Sequence, residues 1–216
     1  MLTLRRELLD KLLAEAVPLM RGRVLDVGGR KENKRGGFRP PLDKVSAWEY
    51  LNPDPASKPD YQGTADAIPM AAGAVDTVVM TEVIEYLPDP GAALREIARV
   101  LKPGGACILT SPLVSPIHGD AEWDRQRLTR VRLAELAEQA GLRVESLREM
   151  GSLGSVLFDL LQASFGYASG FSKAPAGRLG RMLLPWTAPF FRWLDRATPR
   201  LASRINTGYF VVLRKS

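Results

Sequence analysis

Hydrophobic residues in the first part of the chain follow a helical period and then a strand period. Residues 2–17 carry leucines three or four positions apart with charged residues between them, which predicts an amphipathic helix. Residues 23–28 form a short β-branched run that predicts a buried strand, and residues 45–51 predict a second strand. The connection between these strands, residues 30–44, is charged and long for a compact domain, which favours a functional loop.

The alternation of helices and strands continues along the chain. The further predicted elements are strands at 75–83, 106–110, 142–149 and 209–213, and helices at 88–101 and 131–140. Such alternation predicts βαβ units, and therefore an α/β fold with a doubly wound, mostly parallel sheet that is covered on both faces. Ligands of such sheets bind at the carboxyl ends of the strands, so the residues just after each strand are the functional candidates.

A different pattern precedes the last strand. Residues 151–172 are punctuated by glycine and serine and read as a connection, whereas residues 179–201 place apolar side chains at helical spacing with arginines between them. Three prolines predict that this second stretch is broken into short helices: Pro185, Pro189 and Pro199. We therefore expect residues 151–207 to be a helical, basic and aromatic insertion before the last strand.

Length and composition favour one globular domain over residues 1–216, with 45% hydrophobic and 25% charged residues. The single cysteine, Cys107, lies in an apolar run, which predicts a buried structural thiol and a reducing compartment. Charged residues interrupt the N-terminal leucines, and no apolar run is long enough to span a bilayer. These features predict a cytoplasmic protein.

The net charge of +6 is unevenly distributed. Residues 166–205 carry seven lysines and arginines against one acidic residue, Asp195, whereas residues 1–165 carry 21 basic and 23 acidic residues. The basic excess belongs to the insertion, so we expect no nucleic-acid partner. Two hypotheses fit residues 175–205: a lid that handles an anionic acceptor, or a segment that makes peripheral membrane contact.

The glycines after the first strand exclude two common nucleotide sites. A dinucleotide fingerprint needs the pattern G-x-G-x-x-G, and residues 28–33 do not supply it. No phosphate-binding Walker loop is present either. The sequence therefore disfavours a nicotinamide dehydrogenase and a nucleoside triphosphatase.

Three motifs in order carry a family resemblance: VLDVGG at 24–29, VDTVVM with EVIEYL between 75 and 87, and RVLKPGG at 99–105. Together they resemble the class I S-adenosylmethionine-dependent methyltransferases of the type 11-like group, over roughly residues 20–150. The segment from His118 to Thr129 resembles a subgroup tied to glycan or lipid modification. The resemblance implies a Rossmann-like fold, S-adenosylmethionine as cofactor and a small-molecule, glycan or lipid-linked acceptor.

The resemblance also implies cofactor contacts along the strand ends. Asp26, Gly28 and Gly29 would meet the methionine part, and Asn52 would meet the ribose, with Glu49 and Asp54 as substitutes. The remaining implied contacts are Thr64 and Ala65 near the adenine, with Asp66 as a replacement, and Glu82 after the third strand. The chain departs from the family pattern at Asn52 and Thr64, where acids are usual, and at the missing third glycine of the first loop.

Acceptor activation needs a base within reach of the acceptor. The catalytic candidates are His118, Asp124 and Glu85; the pKa of an unperturbed histidine suits a base near neutral pH. We expect Asp124 to pair with Arg127 and fix its loop, and we assign no metal ligands. The departures from the family pattern keep a second hypothesis open, a degenerate protein of the same fold that binds a partner without catalysis.

Overall fold

A computed structural model describes residues 3–32, 36–117, 122–166 and 175–216. Seven strands form one sheet in the order β3-β2-β1-β4-β5-β7-β6, in which β7 is antiparallel to both of its neighbours and the other pairs are parallel. The strands are β1 (Arg23–Val27), β2 (Ala47–Asn52), β3 (Tyr61–Gln62), β4 (Val75–Met80), β5 (Leu101–Pro112), β6 (Leu142–Met150) and β7 (Gly208–Lys215). The helices are α1 (Leu4–Glu15), α2 (Pro90–Val100), α3 (Arg130–Gln139), α4 (Leu153–Gly166) and α5 (Pro175–Ala197).

Helices cover both faces of the sheet. Apolar side chains of α2 and α3, such as Ile97 and Leu136, pack on one face, and those of α1, such as Leu9 and Leu12, pack on the other. Cys107 is fully buried in β5, where burial raises the pKa of its thiol to about 12. The predicted doubly wound α/β fold is confirmed.

The predicted helical insertion lies between β6 and β7, but the prediction of short helices is wrong. Pro185 and Pro189 lie inside one continuous helix, α5. Leu184, Ala188 and Phe191 recur on one side of α5 and are buried against α1 and α4. Both prolines are exposed, so water can reach the two carbonyls that lose their helical donors, and packing on the opposite side holds the helix together.

Helix α4, which the sequence did not predict, connects the rest of the insertion to α1. Backbone N–H groups of Ser152 and Ser155 at the start of α4 donate to Asp195 Oδ1 at 3.1 and 3.0 Å. Asp159, further along α4, accepts from Leu4 N at 2.8 Å and from Arg5 N at 3.2 Å, so it binds the N-terminus of α1. Burial raises the pKa of the Asp159 carboxyl to about 6. The insertion is therefore anchored by buried polar contacts as well as by apolar packing.

Candidate functional site

A cleft of about 1390 Å³ opens at the carboxyl ends of β1, β2 and β4. The cleft is lined by residues 26–30 at the end of β1, residues 63–66 after β3 and residues 81–83 after β4. Helices α1, α4 and α5 close another side, through residues that include Arg5, Gln162 and Arg181. The strand-end rule therefore selected residues that line this cleft.

The turn after β1 forms one wall of the cleft. Gly28 has φ +78°, a conformation that favours glycine, and its N–H donates to Leu51 O at 2.8 Å. A Cβ at Gly28 would overlap with Val83 Cγ2, and one at Gly29 would overlap with the carboxylate of Asp26. This turn therefore has no room for side chains, and it lies where a ligand can approach the backbone closely.

Asn52 supports this turn from beneath. Its Nδ2 donates to Gly28 O at 3.2 Å and to Gly29 O at 3.1 Å, while its Oδ1 accepts from Asp54 N at 3.0 Å. The side chain is buried, and Asn52 is not among the described residues that line the cleft. An amide at this position does what a carboxylate cannot, because only the amide donates to two carbonyls.

The two sequence-predicted substitutes for a ribose contact differ in position. Glu49 lies opposite Leu25 in the middle of the β1–β2 ladder and pairs with Arg23, which lowers the pKa of its carboxyl. Asp54 lines the cleft, and its Oδ1 accepts from Ala56 N at 2.9 Å. Of these two residues, only Asp54 lies in the cleft lining beside this wall.

Asn52→Asp is expected to lower the free energy of unfolding by about 2 to 3 kcal/mol, because a buried carboxylate would face two carbonyl oxygens. Urea unfolding followed by tryptophan fluorescence measures this. Asp54→Asn is the matched control: it lies in the same loop, keeps an acceptor for Ala56 N, and should leave stability within about 0.5 kcal/mol. Unchanged stability of Asn52→Asp would show that the amide does not hold the turn.

The adenine-side candidates form a tight turn in the cleft wall. Thr64 O accepts from Ala67 N at 3.2 Å, which turns the chain so that Gly63, Thr64, Ala65 and Asp66 all line the cleft. Ala65 is buried within the main apolar cluster. Their cofactor roles stay predictions.

Glu82 is held in an unusual backbone conformation at the end of β4. Its φ of +57° is rare for a residue with a side chain and marks local strain. Both carboxylate oxygens bind the Arg5 guanidinium, with Arg5 Nη2 to Glu82 Oε1 at 2.8 Å, and Thr110 Oγ1 also donates to Oε1 at 2.7 Å. Arg5 is buried, which lowers the pKa of its guanidinium to about 10. Sequence reasoning missed Arg5, although a charged residue amid the apolar positions of α1 is a signal that could have found it.

Two of the catalytic candidates lie below the cleft surface. Glu85 is fully buried. Asp124 pairs with Arg127 through both oxygens, with Arg127 Nη2 to Asp124 Oδ2 at 2.7 Å, as the sequence predicted. Neither Glu85 nor Asp124 is among the described residues that line the cleft. His118 lies outside the described residues.

Other side chains line a further part of the cleft. The segment after residue 121 is docked on the turn that follows β4, because Arg125 N donates to Glu85 O at 3.0 Å and Gln126 Nε2 donates to Leu87 O at 2.8 Å. This docking brings Tyr86, Trp123 and Arg125 to the cleft, with the Arg125 guanidinium 5.6 Å from the Trp123 ring centroid. Aromatic and cationic groups thus face the same space.

Comparison with known proteins agrees with this geometry. The chain matches a family model described as a methyltransferase domain over residues 1–147. It is 30% identical over 204 residues to an uncharacterized methyltransferase of Mycobacterium sp. strain JLS, a match that covers 88% of this chain and 75% of that protein. A ubiquinone biosynthesis O-methyltransferase of Xanthomonas oryzae pv. oryzae is 36% identical over 74 residues, 33% of this chain and 30% of that protein.

Other similarities are shorter or more distant. Two further curated relatives are matched over 27% and 42% of their own length. The crystal structure of an S-adenosylmethionine-dependent methyltransferase from Mesorhizobium loti superposes with a TM-score of 0.58 at 14% identity, over 95% of this chain and 96% of that one, and it shares the fold. Because the family model covers most of the chain and ends within β6, the chain belongs to the methyltransferase domain family.

Proposed function

We propose that the chain transfers the methyl group of S-adenosylmethionine, bound in the cleft, to an anionic acceptor with an apolar part. The observation that carries this proposal is the Gly28–Gly29 turn, which lines the cleft and has no room for a side chain. Such a turn lets a ligand lie directly against the backbone. Membership in the methyltransferase family supports a methyl-donating cofactor as the ligand of this turn.

The side chains around this turn suit that cofactor. S-adenosylmethionine, when bound, supplies a methyl group on a positively charged sulfur. Asp26 places a carboxylate in the cleft lining, which favours a cation there, whereas the charge of Glu82 is compensated by Arg5. Asp54 offers an ionised acceptor to ribose hydroxyls, and the buried Ala65 offers apolar surface to the adenine.

The acceptor side combines positive charge with apolar surface. Arg6 of α1, Arg125 and Arg181 of α5 reach the cleft from three separate parts of the chain. A guanidinium recognises carboxylate and phosphate groups through paired hydrogen bonds, so an anionic acceptor fits. Apolar side chains that line the same cleft are Trp123, Phe165 and Leu184.

The protein's contribution to the reaction is mainly positioning. Methyl transfer requires the acceptor atom to be held in line with the reactive carbon, and the walls described above can hold it. His118 stays the candidate base, because Glu85 is buried and Asp124 is committed to Arg127. The proton of the acceptor would pass to this base or to water.

Label transfer from tritium-labelled S-adenosylmethionine to an extract of bacterial polar lipids tests this proposal. The wild-type protein should move label into the organic phase, and Arg125→Gln should move at least about 10-fold less while it binds S-adenosylhomocysteine equally well. A labelled product that stays in the aqueous phase and separates from unreacted S-adenosylmethionine by chromatography would place the acceptor among small polar molecules. Cofactor binding with no transfer to either phase would favour the alternative, a partner-binding protein without catalysis.

A further inference from the structure

Helix α5 is apolar on two opposite sides. Leu184, Ala188 and Phe191 face the protein and are buried. On a helix with 3.6 residues per turn, a second apolar set lies about half a turn away and is exposed. Its members are Leu179, Met182, Leu183, Trp186, Phe190 and Trp193, of which Trp186 is 83% and Trp193 58% exposed. We call this set the exposed strip of α5.

The exposed strip is too large to be an incidental surface feature. It runs from Leu179 to Trp193 along four turns of helix, about 20 Å at 1.5 Å per residue. Single exposed apolar residues are normal, but a contiguous row of large side chains marks an interaction surface. The strip therefore needs a partner that can cover a long, convex, apolar ridge.

Charge beside the strip indicates what that partner is. Arg178, Arg192 and Arg196 are exposed and project about a quarter of a turn from the strip on the same helix. Of these, Arg192 pairs with Glu7 of α1, with Arg192 Nη2 to Glu7 Oε2 at 2.6 Å. The acidic residue of α5, Asp195, accepts from the N–H groups of Ser152 and Ser155 and so faces α4. The surface is thus apolar with a basic border, which is complementary to an apolar layer beneath anionic headgroups.

We infer that α5 docks on the surface of an anionic phospholipid bilayer, with the exposed strip in the headgroup region and the arginines at the phosphates. Tryptophans favour this interface. Among the described residues, no helix is long and apolar enough to cross a membrane, so the contact is peripheral. A second copy of the chain is the competing cover for the strip, and the sedimentation measurement below separates it from a bilayer.

This docking is separate from methyl transfer, but the two share α5. Arg181 and Leu184 of α5 line the cleft, as does Phe165 of α4. Leu184 lies about half a turn of α5 away from the exposed strip, so the docking surface and the cleft are on different sides of the helix. The docking itself stands or falls by a binding measurement that needs no cofactor.

Vesicle co-sedimentation of the full chain tests the inference. Vesicles of phosphatidylcholine with about one third phosphatidylglycerol should bind the protein at low ionic strength, and binding should fall at ~0.5 M NaCl. Trp186→Gln with Trp193→Gln should weaken vesicle binding at least about 10-fold, and Arg178→Gln with Arg196→Gln should weaken it about 10- to 30-fold. The matched control is Val131→Gln with Arg132→Gln, which makes the same kind of change on the exposed side of α3 and should bind like the wild type.

The affinity for S-adenosylhomocysteine, measured in parallel without vesicles, should be the same in all these variants. Equal affinity together with lost vesicle binding supports docking through α5. Absence of binding to the anionic vesicles would overturn the inference, as would equal loss in the α3 control. A dimer in sedimentation velocity that the tryptophan variant dissociates would also overturn it, because a second copy would then cover the strip.

Discussion

Arg5→Met is expected to lower the free energy of unfolding by about 3 to 5 kcal/mol and to abolish cofactor binding. The Arg5 guanidinium is buried, binds both carboxylate oxygens of Glu82, and donates through Nε to Thr207 O at 3.0 Å. Removing one partner of a buried pair leaves the other charge without compensation in a poorly solvated site. Glu82 would lose the contact that fixes it at φ +57° in the cleft wall.

The cost should depend on Glu82. Arg5→Met combined with Glu82→Gln should be less destabilised than Arg5→Met alone, because no buried carboxylate is left without its partner. Lys11→Met is the matched control, since it removes a cation from the exposed side of the same helix. Urea unfolding and calorimetry with S-adenosylhomocysteine measure both effects. An Arg5→Met variant within about 1 kcal/mol of Lys11→Met would refute the structural role of the pair.

Gly28→Ala is expected to raise the Kd for S-adenosylhomocysteine at least about 100-fold, because its Cβ would overlap with Val83 and displace the turn. The positive φ of +78° adds about 1 to 2 kcal/mol of backbone strain. Gly104→Ala is the matched control: Gly104 has φ +74° and nothing within 4 Å of an added Cβ. It should show the strain alone, with an unchanged Kd.

A second substitution separates two causes of the Gly28 effect. Val83→Ala in the Gly28→Ala background removes the overlapping methyl group, so affinity should return to within about 10-fold of the wild type. If affinity stays low while stability recovers, the added Cβ obstructs the cofactor itself. Equal affinity of the Gly28 and Gly104 single variants would show that the turn does not form the cofactor site.

The strands, and the sheet edge that carries the candidate site, were predictable because strand formation depends on the local pattern of apolar residues. The apolar runs of β1, β4 and β5 identify buried strands, and the strand-end rule then selects the residues at Gly28 and Glu82. Strand β3 has two residues and gives no periodic signal. The sequence therefore predicted the sheet and the edge that carries the site.

The insertion was harder to predict because the effects of glycine and proline in packed helices differ from their local conformational preferences. Gly154 reads as a breaker, yet a Cβ there would overlap with Phe191 O, so glycine is what lets α4 and α5 approach closely. Pro185 and Pro189 read as helix ends, yet the packing of α5 tolerates them on its exposed side. Tertiary contacts outweighed local preference in both helices.

Contacts between distant parts of the chain could not be inferred from spacing. Arg5 and Glu82 are 77 residues apart, and Asp159 is 154 residues from Arg5. The same holds for Asn52, whose predicted ribose contact rested on the residue type usual at that position. Its amide binds the carbonyls of Gly28 and Gly29, so the residue that departs from the family pattern supports the turn after β1, and the predicted ribose contact stays a prediction.

The central claim is that the cleft at the carboxyl edge of the sheet binds S-adenosylmethionine. Isothermal titration of the full chain with S-adenosylhomocysteine tests it most directly, with Gly28→Ala and Gly104→Ala as the paired variants. We expect one-to-one binding with a Kd on the order of micromolar. Binding should be lost in Gly28→Ala and kept in Gly104→Ala. The opposite result would be a folded wild-type protein that gives no binding heat at about 1 mM ligand and whose unfolding temperature the ligand does not raise. That result would contradict cofactor binding in the cleft.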